Sequence, residues 1–464
     1  MFITKVTAQV LQISNEKMGI DKSVKLMVCQ ISTSQKTSST DKIQLQLGNG
    51  ENILIANDSI STQKSYQITY QQQPYILYFT TYPLVQINGK DSIIDEPKRL
   101  MEVSFASKDT VIRKKAGVEL RGNISLKFPK KSYDLEFRNS NNTKVSEDVR
   151  FLKMRKDDDW VLDGIYNEVL RIRSHFGNQL WSKIYQLPYL DKEPKAKSGI
   201  TSAYVEVFVN QQYKGIYSLT EQVDRKLLQL KDIENGTIQG ELFKASSYEG
   251  APTFTKAPEF KNIFPHWAGY TMEFPVVDYK SYWDNLYDVT KFVIDAPVET
   301  FNRKIAQKID LSNAMDYFIL VNVLRATDNL GKNFYLARYK KDTPYFIVPW
   351  DLDGVLGTIQ DGKQIPTTDD ILSNNLFDRL LKDNPDQYRT KIKARWDSLR
   401  TTQLKTTALL NTIDRTYQKF LKEKIYEREE LIWNTEISHS EAYAYMKQWL
   451  KDRLTYLDTY FKEL

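Results

Sequence analysis

Four polar side chains carry the strongest chemical signal of the sequence. Asp328 and Asn333 lie five positions apart, and Asp351 and Asp353 follow shortly afterwards, just before Gly354. Carboxylate and amide oxygens are the ligands that Mg²⁺ and Mn²⁺ prefer in proteins. The pattern therefore predicts a site for a hard divalent cation. The alternative is structural, because the same residue types cap turns and strand ends or lie in solvent.

The elements that position these side chains are predicted from apolar patterns. Residues 312–325 are apolar on most faces, which predicts a buried helix. Short apolar runs at 333–338 and 345–348 predict two strands. Asp328 would then lie in the loop between the helix and the first strand, and Asp351 would follow the second strand.

The Asp-x-x-x-x-Asn spacing of Asp328 and Asn333 also occurs in the catalytic loop of protein kinases. There the aspartate orients the acceptor hydroxyl and the asparagine binds a metal ion. Such a short match has low specificity by itself. It favours nucleotide and metal chemistry but leaves the structural alternative open.

Composition removes several other classes of protein. The 464 residues include 65 Lys and Arg against 59 Asp and Glu, and this excess of +6 is too small to indicate a nucleic-acid binder. Cys29 is the only cysteine, which excludes a disulfide framework or a cysteine-based metal cluster within one chain. The three histidines, His175, His266 and His439, are too far apart in sequence to indicate a histidine-rich metal site. No signal peptide or membrane span is visible, which leaves the compartment open.

The chain changes in character along its length, and this predicts the α+β class. Residues 1–80 contain short alternating runs, which predict a small antiparallel, sandwich-like β module. Residues 81–245 predict a β-rich lobe that contains a hairpin and one helix at 168–184. Residues 246–464 predict a helical lobe. Its later helices are expected at 376–396, 404–430 and 439–461.

Six ordered segments resemble the successive blocks of the spore-coat-protein-H (CotH) kinase family, over residues from about 80 to past 355. They are 121–137, 160–162, 170–174, 204–224, 332–333 and 349–353. The resemblance implies a two-lobed, atypical protein-kinase fold in residues 81–464. It also implies that the protein binds ATP with Mg²⁺ or Mn²⁺ and phosphorylates Ser or Thr of a protein substrate. An exported or cell-surface location is implied in the same way.

The resemblance also implies roles for individual residues. Asp328 would be the catalytic aspartate, and the metal ligands would be Asn333, Asp351 and Asp353. The nucleotide would be bound by Lys131, Arg121, Asn123, Ser125, Arg173 and Glu221.

Three of the nucleotide-binding assignments have a structural alternative. Lys131 shares a predicted strand face with apolar residues, but it could equally be a surface lysine beside Lys130. Arg173 could form an exposed salt bridge of little energetic consequence. Glu221 could be a buried structural carboxylate rather than part of a hinge. The acidic run 157–159 is expected to be a solvated turn.

Three functions remain compatible with these residues. The first is transfer of phosphate from ATP to a protein hydroxyl. The second is an adhesion, scaffold or carbohydrate-binding protein with a kinase-like fold, since 28 Tyr, 21 Phe and 8 Trp supply aromatic surface. The third is transfer of AMP from the same nucleotide site.

Overall fold

The computed structural model describes residues 9–32, 35–36, 43–55, 59–278, 280–433 and 438–464, and it confirms the α+β class. The strands are β1 Gln9–Ile13, β2 Met18–Asp21, β3 Leu26–Gln30, β4 Gln35–Lys36, β5 Ile43–Leu47, β6 Asn52–Ile55, β7 Ser59–Ile60, β8 Ser65–Tyr70, β9 Gln73–Thr80, β10 Leu84–Asn88, β11 Arg99–Ala106, β12 Val111–Arg121, β13 Ser132–Arg138, β14 Val149–Arg150, β15 Lys156–Asp157, β16 Asp159–Asp163, β17 Ser202–Val209, β18 Gln212–Thr220, β19 Glu241–Ala245, β20 His266–Trp267, β21 Tyr270–Phe274, β22 Phe334–Arg338 and β23 Tyr345–Pro349. The α-helices are α1 Arg173–Ile184, α2 Arg225–Leu228, α3 Asp284–Asp295, α4 Val298–Lys308, α5 Leu311–Leu324, α6 Asn375–Asp383, α7 Tyr388–Thr401, α8 Thr406–Lys422, α9 Ile425–Trp433 and α10 His439–Glu463.

The chain forms two compact units, each assembled from three separate stretches. The first unit comprises Met1–Tyr166, Ser202–Glu221 and Asp414–His439, and the second comprises Asn167–Thr201, Gln222–Ile413 and Ser440–Leu464. The division into a module at 1–80, a lobe at 81–245 and a lobe at 246–464 stays a prediction, as does the two-lobed kinase arrangement.

The start of the first unit is a pair of small sheets with a shared apolar core. One sheet has the order β1-β5-β6 and the other β2-β3-β9-β8. The prediction of an entirely antiparallel module is wrong, because β1 pairs with β5, and β3 with β9, in parallel. Parallel pairing requires a long crossover between the two strands, and both pairs are far apart in sequence.

A closed barrel follows in the same unit, with the strand order β10-β11-β12-β13-β16-β18-β17. Its interior is filled by alternating apolar side chains, including Phe105, Phe137 and the fully buried Trp160. The predicted hairpin is confirmed as β17 and β18. Closure leaves the barrel without a free sheet edge.

The second unit contains a sheet of order β20-β21-β19-β22-β23, whose strand pairs are all antiparallel. Helix α5 is the predicted buried helix, and its Asn313 side chain bonds both the N–H and the C=O of Ile347 in β23. Asp310 caps the helix by accepting the N–H groups of Ser312 and Asn313. The helix therefore holds the β22–β23 hairpin from one side.

Two of the three predicted later helices are divided. The segment 376–396 becomes α6 and α7, because Pro385 and the left-handed residues on either side interrupt it. The segment 404–430 becomes α8 and α9, separated near Lys424, whose φ is +58°. The segment 439–461 is confirmed as α10. Among the described residues, no helix has both the length and the apolar character that a membrane span requires.

Candidate functional site

The open end of the β22–β23 hairpin brings Asn333 and Asp351 close together. Phe334 pairs with Pro349, and the Trp350 N–H donates to the Asn333 carbonyl over 2.9 Å. Asn333 and Asp351 are therefore neighbours in space although the chain separates them. Both have left-handed backbone, with φ of +58° and +54°. Asn and Asp tolerate this conformation better than most residues because their short polar side chains can bond locally.

Asp328 lies in a 3₁₀ turn, Thr327–Leu330, that follows α5 and leads to Asn333. Its carbonyl accepts the Lys332 N–H over 3.0 Å. Its carboxylate forms an ion pair with the Lys332 ammonium, with 2.9 Å between Oδ2 and Nζ, and both side chains stay partly exposed. We call residues 325–333 the Asp328 loop. It carries a solvent-accessible carboxylate with a cation beside it.

Asn329 fixes this loop to the hairpin, and the sequence analysis missed it. Its side chain is buried, and its amide donates to the carbonyls of Asn333 over 2.6 Å and Trp350 over 2.8 Å. Its own carbonyl accepts the Tyr317 hydroxyl over 2.7 Å. One amide group therefore holds the two strand ends that present Asn333 and Asp351. The available signal was a second polar residue inside the motif, directly after Asp328.

Asp353 is held by a residue from a distant part of the second unit. The Asn167 side-chain amide donates to Asp353 Oδ2 over 2.6 Å and to the Gln360 carbonyl over 2.9 Å. A Cβ atom on Gly362 would lie 2.0 Å from the Asn167 carbonyl oxygen, so this close approach needs glycine. Sequence spacing gave no indication of Asn167, because the residues are far apart in the chain.

Tyr248 packs against the Asp328 loop at Thr327 and Gly331. Its hydroxyl donates to the Thr327 carbonyl, and its ring lies where a side chain on Gly331 would have to be. Burial of the hydroxyl and the negative charge of Asp328 raise the pKa of Tyr248 above its usual value. Tyr248 thus adds a hydrogen bond to the backbone of the Asp328 loop.

Arg173 is buried, in contrast to the exposed salt bridge considered from sequence. Its guanidinium donates to Glu168 over 2.6 Å, and both residues are 2 % exposed. Glu168 also accepts the N–H groups of Leu170, Ile172 and Arg173. Helix α1 begins at Arg173 rather than at Glu168, because Arg171 has left-handed backbone, with a φ of +59°, which a right-handed helix cannot include. The assignment of Arg173 to phosphate binding stays a prediction.

The residues assigned to phosphate contacts in the first unit lie on one connection of the barrel, between β12 and β13. Arg121 ends β12, and the Ser125 hydroxyl donates to the Arg121 carbonyl over 3.2 Å. Asn123 is exposed beside Gly122, whose φ is +106°. Lys131 directly precedes β13, and its ammonium donates to the Leu126 carbonyl over 2.6 Å. The structure groups these side chains on one loop, and their role in nucleotide binding stays a prediction.

The fully buried lysine of this connection is Lys130, not Lys131. Its ammonium bonds Glu429 of α9 at 2.8 Å and the Ile216 carbonyl at 2.6 Å, and it lies 4.8 Å from the centre of the Tyr217 ring. Glu429 also accepts the Ile216 N–H. Lys130 is buried because α9 covers it with a carboxylate from a distant part of the chain, which the local sequence does not show.

Two further carboxylates of the first unit, those of Glu221 and Asp157, are buried. Glu221 is fully buried and accepts the Arg155 N–H over 2.7 Å, as a structural carboxylate would. Asp157 is also fully buried and paired with Arg155, so the expectation of a solvated turn is wrong at this position. Carboxylate oxygens of Asp148, Asp157 and Asp158 lie within 4.8 Å of one another. The burial of Glu221 and Asp157 is compatible with a structural role for both residues.

The donors at the hairpin end suit a hard divalent cation. Asn333, Asp351 and Asp353 offer amide and carboxylate oxygens, which Mg²⁺ and Mn²⁺ favour over nitrogen or sulfur ligands. Asp351 is exposed at the strand end, while Asp353 is partly buried and oriented by Asn167. The residues present therefore fit the metal ion that a kinase requires.

Comparison with known proteins identifies the family of the chain. Residues 118–457, most of the chain, match the family model described as CotH kinase protein. The match extends through the helical part, where the sequence analysis found no signature. No curated protein matches the chain. Because this match covers most of its length, the chain belongs to the CotH kinase family.

Proposed function

We propose that the protein is an ATP- and divalent-metal-dependent protein kinase that phosphorylates Ser or Thr hydroxyls of a protein substrate. The observation that carries the proposal is the juxtaposition of Asn333 and Asp351 at the hairpin end, joined by Asn329 to the loop that carries Asp328. Family membership supports the same class of reaction. A cell-surface or exported substrate is part of the proposal through the family resemblance alone.

Each of these side chains has a defined task in such a reaction. Asp328 orients the acceptor hydroxyl and accepts its proton. The hydroxyl oxygen forms a bond to the γ-phosphorus, the bond from that phosphorus to the β,γ-bridging oxygen breaks, and ADP leaves. A cation bound by Asn333, Asp351 and Asp353 would neutralise phosphate charge. Catalysis then depends mainly on positioning and charge compensation.

Lys332 is placed to assist the same step. Its ammonium lies 2.9 Å from the Asp328 carboxylate, and the side chain remains partly exposed. A cation at this position compensates the negative charge of Asp328 before substrate binds, and it can attract an anionic phosphoryl group. The assignment of Lys131, Arg121, Asn123 and Ser125 to the nucleotide rests on the family resemblance.

Intact-mass spectrometry after incubation with ATP and Mn²⁺ or Mg²⁺ tests the proposal, because added phosphate and added AMP differ in mass. We expect addition of phosphate to the protein or to an added acceptor protein. Asp351→Ala should reduce incorporation by more than about 100-fold, and it should also lower the melting temperature, because alanine is less favourable than aspartate at a φ of +54°. Asp369→Ala, a nearby exposed aspartate, is the matched control. Unchanged incorporation by Asp351→Ala would contradict the proposal, and addition of AMP would replace it by adenylyl transfer.

A further inference from the structure

The segment 354–372, which follows Asp353, is bound to the Asp328 loop by a cluster of charges. Arg325 begins this loop, and its guanidinium bonds both carboxylate oxygens of Asp370, with distances of 2.6 to 3.1 Å. Arg453 of α10 is fully buried and donates to the same carboxylate over 3.1 Å. One carboxylate therefore joins two arginines from two other elements of the second unit.

The backbone around this cluster is fixed in the same way. Arg453 donates to the carbonyls of Asp370 over 2.6 Å and Thr368 over 2.9 Å, and its Nε donates to the carbonyl of Asn322 in α5 over 2.7 Å. The buried Asn322 side chain accepts the N–H of Leu372 and donates to its carbonyl. The end of the segment is thereby tied to the last turn of the helix from which the Asp328 loop departs.

Asp370 is ionised in this environment. Burial alone would raise the pKa of its carboxyl, but the hydrogen bonds and charge of Arg325, together with Arg453, lower it below its usual value. Two arginines on one carboxylate leave an excess of positive charge. Asp370 is therefore the anion on which this arrangement of the two arginines depends.

Protein kinases commonly order the segment after their metal-binding aspartate by phosphorylation, which supplies an anion for arginines. Here the anion is part of the sequence. We propose that Asp370 is a positioning residue for the reaction: paired with Arg325 and Arg453, it fixes the Asp328 loop in its working position without an added phosphate. This inference rests on the proposed function, because it assigns the residue that orients that same site.

The test compares Asp370→Asn with Asp369→Asn, which removes the same charge from the adjacent exposed position. Amide hydrogen exchange measures the order of residues 326–333, and initial rates give kcat and KM for ATP. We expect faster exchange in this loop for Asp370→Asn only. We also expect a kcat lower by about 10- to 100-fold, with KM changed by less than about threefold. Arg325→Gln removes the arginine of the Arg325–Asp370 ion pair and should have the same effect on exchange and kcat. It is the variant to measure if Asp370→Asn does not fold.

The possible outcomes separate this inference from the proposed function. Unchanged exchange in the Asp328 loop, or a kcat for Asp370→Asn within about twofold of the wild type, would overturn the role of Asp370. An equal loss of rate in Asp369→Asn would also overturn it, because the effect would then be one of general charge. Absence of any transfer by the wild type would overturn the proposed function, and the exchange measurement would still decide whether Asp370 orders the loop.

Discussion

Replacement of Asn329 by Ala should separate the stability of the second unit from its ability to bind metal and nucleotide. The substitution removes the amide that donates to the Asn333 and Trp350 carbonyls over 2.6 and 2.8 Å. Each buried hydrogen bond contributes about 0.5 to 1.5 kcal/mol, and a buried carbonyl that loses its donor costs about 1 to 3 kcal/mol more. The Asn333 carbonyl keeps the Trp350 N–H as a donor, so two bonds and one carbonyl give an expected loss of about 2 to 6 kcal/mol in the free energy of unfolding.

The matched control is Asn313→Ala. Asn313 is also buried, and it also makes two hydrogen bonds to the same hairpin, at Ile347 over 2.6 and 3.0 Å. Its loss should cost a similar amount of stability. Ile347 lies inside β23, whereas Asn329 bonds the strand ends that present Asn333 and Asp351. The two variants therefore differ mainly in what they do to the candidate metal site.

Thermal melting with and without ATP and Mn²⁺ measures both effects. Nucleotide that binds the folded protein raises the melting temperature. We expect the wild type and Asn313→Ala to show the same rise, and Asn329→Ala to show a smaller one, corresponding to an affinity lower by about 10- to 100-fold. A full nucleotide-dependent rise in Asn329→Ala would refute the reasoning. An equal reduction in both variants would refute it as well, because the effect would then follow stability alone.

Two further predictions concern the first unit. Lys130→Met removes the ammonium that pairs with the buried Glu429 carboxylate, and it should destabilise the unit by about 3 to 5 kcal/mol in a melting or denaturant experiment. Lys127→Met changes an exposed position and should not have this effect. Equal effects of the two substitutions would contradict the burial argument. Burial and the neighbouring Asp158 carboxylate raise the pKa of Asp159 from 3.8 to about 7. Its stabilising contribution is therefore present at low pH and lost as the pH rises towards and through 7. The melting temperature of Asp159→Asn minus that of the wild type should therefore increase from pH 5 to pH 8. A difference that does not change with pH would contradict the raised pKa of Asp159.

Much of the local structure followed from the sequence. The alternation in 42–47 predicted a strand with one buried face, and in the described part of this run Ile43, Leu45 and Leu47 are buried. The apolar run at 312–325 predicted the buried helix α5 within one residue at each end. Such patterns are readable because side-chain periodicity follows directly from the geometry of a strand or helix. The hairpin partners β17 and β18 were readable, but the parallel pairings β1–β5, β3–β9 and β10–β17 were not, since they join segments far apart in the chain.

In the candidate site, too, the sequence identified some residues and missed others. Asp328, Asn333 and Asp351 could be named because their spacing places them on a loop and a strand end, and these positions depend on local geometry. Asn167 could not be named, because its contact with Asp353 links residues far apart in sequence.

Long-range packing also decided which charges are buried. Sequence could not distinguish Lys130 from Lys131, because the distinction depends on Glu429 in a helix near the other end of the chain. For the same reason Asp370 looked like any surface aspartate until folding placed Arg325 and Arg453 around it. The sequence alone therefore determined the types and local order of the reactive groups. The tertiary structure determined their charge partners and burial, because desolvation and ion pairing depend on neighbours in space rather than in the chain.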